Sequence, residues 1–251
     1  MEAAAALMGA LGSFDALRDR PVASNIWYNA ISDQLVAGMA WWEVYMRKGE
    51  QTRQEIIRKA APIFNQRGYD GAALSDLMRA TGLEKGGIYR HFESKEQLAA
   101  EAFDYAWKLA IDTRFEGTQD VPNAVDRLEL FVWNFRERRA GLVPGGCPLL
   151  NTAIDSDDAH PSLRRKARRA LGYWLGRLQS IAEEGKQKGE IRSAVDSQEL
   201  ATLIVNALEG GLMVSRLQRR DDALDLACRH LEEYLETSVR GKESKRREGK
   251  L

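Results

Sequence analysis

Cysteine is nearly absent: Cys147 and Cys228 are the only two in 251 residues. They are too few for a disulfide framework and stand in no metal-ligand spacing, so a reducing, cytoplasmic setting is expected. The three histidines (His91, His160 and His230) are scattered, with no HExxH or Cys/His cluster, which removes the common metal sites. No apolar run approaches the roughly 18 residues that would span a bilayer. The N-terminal MEAAAALMGALGSFDALRD carries an early acid and no basic leader, so no signal peptide is expected. Net charge is also missing, since 37 Lys and Arg balance 37 Asp and Glu, and the whole chain therefore gives no electrostatic sign of nucleic-acid binding. There is no nucleophile–base–orienter set and no phosphate loop, so neither an enzyme nor a bound cofactor is expected. No alternating strand pattern occurs anywhere.

What is present is helical periodicity. Ile56, Ala60, Ile63 and Phe64 form one stripe of a helix over Thr52–Arg67, with Thr52 and Glu55 in capping-box spacing and Gly68 as its stop. Pro62 lies inside that helix and predicts a kink near residues 58–62. Shorter helices follow at Leu74–Ala80 and Lys85–Phe92. Ser94 caps a fourth that runs from Lys95 to about Phe115, with Gln97 in the box position. Apolar periods over 121–140, 162–188, 197–216 and 221–239 complete an all-α chain. Residues 1–45 are harder to read. Asn25–Tyr45 is dense enough in apolar residues for a helix, and the segment is either an upstream extension before Met46 or an arm that packs on the core or a partner. The expected organisation is an extension over 1–45, a three-helix unit over 46–98, a larger helical domain over 99–239 and a charged, disordered tail over 240–251.

The most informative stretch is GYDGAALSDLMRATGLEKGGIYRHFESKEQL, residues 68–98. Two short helices joined at Thr81-Gly82 make a helix-turn-helix, and the second helix suits a DNA major groove. Gly82 supplies the positive φ of the tight turn. Gly86 and Gly87 sit in the first turn of the second helix, where each costs roughly 1 kcal/mol relative to alanine. Close approach to DNA would compensate; a cap or loop is the plainer alternative. Tyr89 and His91 can hydrogen-bond phosphates and Lys95 can add charge, while Arg79, Thr81, Lys85 and Arg90 each face either the groove or solvent. Phe64, Leu77, Ile88 and Phe92 should form the small core. Local charge is weak, with eight Lys and Arg against six Asp and Glu over residues 52–99.

From Thr52 to Leu98 the sequence resembles the tetracycline-repressor (TetR) family of transcriptional regulators. The matching positions are Thr52-Arg53, Gly68-Tyr69, Asp76-Leu77, Gly82, Lys85-Gly86-Gly87-Ile88-Tyr89, His91-Phe92 and Ser94-Lys95-Glu96. The resemblance implies a homodimer with two DNA-binding heads on a pseudo-palindromic operator, and a helical remainder whose small-molecule effector releases the DNA. The chain departs from the pattern at Ala72 and Ala73, where hydroxyl residues are common, and at Glu84, where a serine is. Those capping contacts do not carry over, and Glu84 repels phosphate.

Beyond residue 100 the resemblance thins. Gly145-Gly146-Cys147-Pro148-Leu149-Leu150-Asn151 is similar to a Gly-Cys-Pro…Asn element of one subset of the family, at the start of a helix lining the core. Cys147 reads as a buried apolar residue, or alternatively as a redox sensor. Trp107, Phe131, Phe135, Cys147, Asn151 and Trp174 are the candidate effector-pocket residues. No charged anchor stands out, so an apolar or aromatic effector is expected. Leu200, Leu203, Ile204, Leu208, Gly211 and Leu212 make one apolar face and Leu224, Leu231 and Leu235 another. Together they predict a four-helix dimer interface, unless the two faces complete one monomer's core. The expected function is a ligand-responsive repressor; the alternative is a helical partner-binding protein that has lost sequence-specific DNA recognition.

Overall fold

A computed structural model describes the backbone of residues 24–156 and 159–241 and the side chains from Lys48 onward. Two compact units meet in sequence at Thr52 and Arg53. The first, as far as it is described, is helical backbone from Ser24, so the helix expected over Asn25–Tyr45 forms; residues 1–23 lie outside the described residues. In the second unit every named element is helical, and the only pairing of strand type among the described residues is an isolated bridge between Ile191 and Arg240.

Helix α1 is Ser24–Gly71, α2 Leu74–Thr81, α3 Lys85–Tyr89, α4 Lys95–Arg114 and α5 Ala124–Glu137. They are followed by α6 Pro148–Asp155, α7 Pro161–Gln187, α8 Ser197–Gln218 and α9 Asp222–Tyr234. The start signals explain most N-termini. Ser94 Oγ accepts the Gln97 N–H at 3.1 Å, and Gln97 Oε1 accepts the Glu93 N–H at 2.7 Å, a capping box whose return bond lands one residue early. Asn123 and Asp196 cap α5 and α8 in the same way, and Pro148 and Pro161 open α6 and α7.

Two expectations for α1 are corrected. Thr52 is not a cap, because the helix already runs through it and its hydroxyl donates to the Lys48 carbonyl at 2.9 Å. Glu55 pairs with Arg58 and Lys59 instead. Nor does α1 break near Pro62. The one non-helical residue inside it is Gly68, at φ 71° and ψ 179°. Proline removes the donor to the Arg58 carbonyl, yet the helix continues through it.

Ile56, Ile57, Ala60, Leu77, Ile88 and Phe92 are buried together with Leu98 and Ala102 of α4, so the expected small core forms. The larger core is built from α4, α5, α7, α8 and α9 around Phe131, Phe135, Trp174, Ile204, Leu208 and Leu224. This overturns the expected dimer faces. Leu200, Ile204, Leu208, Leu212, Leu224, Leu231 and Leu235 are all buried inside the single chain, none more than 3% exposed. Gly211 belongs with them, since a Cβ there would lie 3.0 Å from the Leu224 Cα and hold α8 and α9 apart. Of the residues expected at the interface only Leu203 faces outward. The α8 helix is long and apolar enough to cross a membrane, but its most apolar stripe is this core.

The tail also begins later than expected. The Arg240 side chain, 5% exposed, donates to Asp126 and Glu236 at 2.5 and 2.6 Å and ties the end of α9 to α5. Residues 242–251 lie outside the described residues.

Candidate nucleic-acid interface

Helices α2 and α3 form the helix-turn-helix. Gly82, at φ 72°, closes the turn in the left-handed region, and its N–H donates to the Met78 carbonyl. The Thr81 hydroxyl donates to the Leu77 carbonyl at 2.7 Å and accepts from the Leu83 N–H at 3.3 Å, so this group holds the turn. Leu77 and Ile88 face inward, which leaves Lys85, Gly86 and Arg90 exposed and Gly87, Tyr89 and His91 half-buried on the outer side of α3. Arg79 is exposed beside Asp76, whose other oxygen pairs with Arg67 across the head.

The two glycines of α3 differ. A Cβ on Gly87 would press on the Leu83 side chain at 3.3 Å, so the fold itself favours glycine there. A Cβ on Gly86 meets nothing within 4 Å, and the residue is exposed and helical. Nothing inside the protein requires glycine at Gly86, although it costs the helix about 1 kcal/mol. An external surface that approaches the backbone would require it.

Lys95 Nζ donates to the Tyr69 carbonyl at 2.5 Å and sits 4.4 Å above the Tyr69 ring, holding α4 to the end of α1. Tyr69 is gripped from the other side, where Asp155 Oδ2 accepts its N–H at 2.7 Å. Four residues earlier on α6, Asn151 Nδ2 donates to the Asn65 carbonyl, to Asn65 Oδ1 and to the Gly145 carbonyl, all within 3.0 Å. Asn65 returns the contact by donating to the Pro144 carbonyl at 3.0 Å. One face of α6 therefore clamps the last turns of α1 at two points. Asn151, expected in a pocket, is half of this clamp and also lines a small cleft with Phe64, Phe103 and Leu163; Asn65 and Asp155 were not expected, and their separation in sequence leaves no local signal.

The remaining pocket candidates do come together. Trp107, Phe131 and Phe135 surround Trp174 with ring centroids 5.8–6.1 Å away. Cys147 adjoins them through Arg114, whose Nη1 is 3.8 Å from its sulfur. Burial pushes the Cys147 thiol up to about 12, against the pull of Arg114. A neutral, 2% exposed thiol is a poor nucleophile, so native Cys147 should resist iodoacetamide at pH 8 and react only after denaturation. Rapid native alkylation, read by intact-mass spectrometry, would restore the redox reading. The sequence also gave no sign of a charged anchor, yet Arg114 and Glu209 lie in this core. The available signal was a charged residue on an apolar stripe, Phe103–Trp107–Ile111–Arg114 in α4 and Val205–Glu209–Leu212 in α8.

Residues 56–102 match the profile of bacterial regulatory proteins of the tetR family, and residues 124–231 match the tetracyclin repressor-like C-terminal domain. A TetR transcriptional regulator from Chloroflexus aurantiacus J-10-FL is 45% identical, with a TM-score of 0.74 over 78% of this chain and 99% of that one. A TetR-family regulator from Cytophaga hutchinsonii is 35% identical, with a TM-score of 0.72 over 77% and 96% of the two chains. The HTH-type transcriptional repressor DhaR of Mycobacterium sp. strain GP1 is 26% identical across 69% of this chain and 86% of its own length. A helix-turn-helix clamped to a helical regulatory domain, with both parts matched along nearly the whole of a 45%-identical regulator, places the chain in the TetR family of transcriptional regulators.

Proposed function

We propose that the protein is a cytoplasmic, ligand-responsive repressor that binds a pseudo-palindromic operator as a homodimer and is released by a small molecule. The observation that carries this reading is the exposed face of α3, where Lys85, Gly86 and Arg90 stand outside a fully formed small core. Tyr89 and His91 serve phosphates, and Lys85 and Arg90 are placed to read base edges. Lys95 and Thr81 position the head rather than touch DNA, because the structure uses both internally. The dimer forms through the outward stripe of α8, Leu203, Gly210, Met213 and Leu217, beside Leu226 and Tyr234 of α9; this spacing keeps one helix face and leaves large apolar side chains exposed.

Selection of bound duplexes from a random pool with the full chain tests the reading. A palindrome with two half-sites supports it, and a dimer that enriches nothing refutes it. On the selected operator, Tyr89→Ala should weaken binding about tenfold, whatever the base sequence. Gly86→Ala should stabilise α3 by up to about 1 kcal/mol while lowering operator affinity about tenfold. Opposite signs in thermal melting and gel shift would mark Gly86 as a contact position. If both measurements improve, the glycine is not there for DNA.

A further inference from the structure

The first turns of α7 carry charge that the fold does not use. Five of the six residues from Arg164 to Arg169 are basic, and the first acid of the helix is Glu183. Two of the five are engaged inside the protein: Lys166 pairs with Asp104 of α4, and Arg164 has an interaction within the chain. Arg165, Arg168 and Arg169 are exposed and make no ion pair or hydrogen bond among the described residues. Their spacing works against the helix. Arg165 and Arg169 are like charges at i and i+4, Arg165 and Arg168 at i and i+3, and both spacings bring side chains together. All three also lie toward the positive end of the helix dipole, where acids are favoured. A solvated outer face would be met as well by mixed charge.

Position narrows what lies opposite these arginines. The start of α7 is seated on the DNA-binding head. The His160 ring is 4.3 Å from that of Tyr69, Ser162 donates to Glu96, and Leu163 packs with Ala99 and Ala100. Tyr69 in turn lies within electrostatic reach of Tyr89 on α3, the residue assigned above to phosphate. One ring therefore separates the start of α7 from the outer side of α3. Because Ser162 meets Glu96 and Lys166 meets Asp104, α7 and α4 leave the head in the same direction. Arg165 stands about 8 Å and Arg169 about 14 Å along the axis from His160, so the cluster lies beside the head and not at the far end of the regulatory domain. An acidic protein or an anionic membrane could also meet such a face. DNA alone is already placed next to it by the reading of α3.

We propose that Arg165, Arg168 and Arg169 bind the phosphates of DNA flanking the operator, outside the stretch covered by the helix-turn-helix. Their guanidinium forks suit phosphate oxygens through paired N–H donors. Such contacts add affinity and fix the protein on the duplex without reading bases. The phosphates also neutralise the repulsion within the cluster. The contact rests on the proposed operator binding, and duplex length separates the two.

Two duplexes of the selected operator decide it, titrated by fluorescence anisotropy with the full chain. One is trimmed to the palindrome, and the other carries about ten further base pairs, one helical turn, on each side. The triple variant Arg165→Gln, Arg168→Gln, Arg169→Gln should lose about tenfold in affinity on the longer duplex and less than about twofold on the trimmed one. On the longer duplex its slope of log affinity against log salt should fall by about 2 or more, since each lost phosphate contact removes about 0.9 and each arginine occurs twice in a dimer. Lys188→Gln, just past the far end of α7, should change neither. The triple variant should melt no lower than wild type, because it removes like charges. If it does not fold, Arg165→Gln alone decides, with an expected loss of about threefold confined to the longer duplex. Equal losses on both duplexes, no loss on either, or a matching loss in Lys188→Gln overturns the flanking contact. A wild type that binds both duplexes beside an indifferent variant refutes that contact alone and leaves the face to an acidic protein or a membrane. A wild type that enriches no operator refutes the operator reading, and the flanking contact falls with it.

Discussion

Leu208→Asp is expected to leave no folded protein, whereas Met213→Asp, five residues along the same helix, is expected to give a folded monomer. Leu208 is fully buried on α8 among the apolar side chains of the regulatory core. An unpaired buried charge costs upwards of about 4 kcal/mol. Total stability is only about 5–15 kcal/mol. Met213 is 43% exposed on the outward stripe, so aspartate there costs the monomer little but places charge at the centre of the proposed dimer contact. Circular dichroism and size-exclusion chromatography separate the outcomes. Losing the second head should then lower operator affinity about 100-fold or more, because the two heads no longer bind as one linked unit. A Leu208→Asp protein that folds as a monomer would return the interface to the inner face, and a Met213→Asp protein that stays dimeric would remove it from the outer one.

The contrast shows where sequence reading succeeds and where it stops. The head was legible because its determinants are local. Gly82 closes the turn, Ser94 and Gln97 cap α4, and Leu77, Ile88 and Phe92 lie close enough in sequence to mark one small core. Periodicity in α8 equally marks Leu200, Ile204, Leu208 and Leu212 as one apolar stripe, but a stripe does not name its partner. The denser stripe is taken by the core of its own chain, where α9 is brought alongside by a short connection, which leaves only the sparser outward stripe for the proposed dimer. Thr52 and Glu55 fail for a related reason. Their spacing is that of a cap, but a cap requires the preceding residues to leave the helix, and here they remain helical. The clamp of Asn65 and Tyr69 on Asn151 and Asp155 spans 86 residues of sequence at both points, beyond the reach of any local pattern.

That clamp depends on a glycine, so Gly145→Ala is expected to damage both stability and regulation. Gly145 has φ 123°, and a Cβ on it would lie 2.7 Å from Asn65 Nδ2 and 2.8 Å from the Asn65 carbonyl oxygen. Backbone cannot yield as a flexible side chain does, so the loop must withdraw from α1 and give up the Asn151 and Asn65 hydrogen bonds. Strain of about 1–3 kcal/mol joins the cost of those lost bonds. The total of roughly 3 kcal/mol should lower the melting temperature by about 6–12 °C for a domain of this size. Gly141→Ala is the control. Gly141 lies in the same loop at φ 70°, but the neighbours of its Cβ are Val143 and Gly146 backbone atoms within the loop, and Asn65 is not among them. Both variants should melt earlier than wild type, but only Gly145→Ala should hold the operator when effector is added, because only it separates the effector core from the end of α1. If both variants release DNA as wild type does, the coupling runs through α4, which packs against the head core and the regulatory core alike, and the α6 clamp serves stability alone.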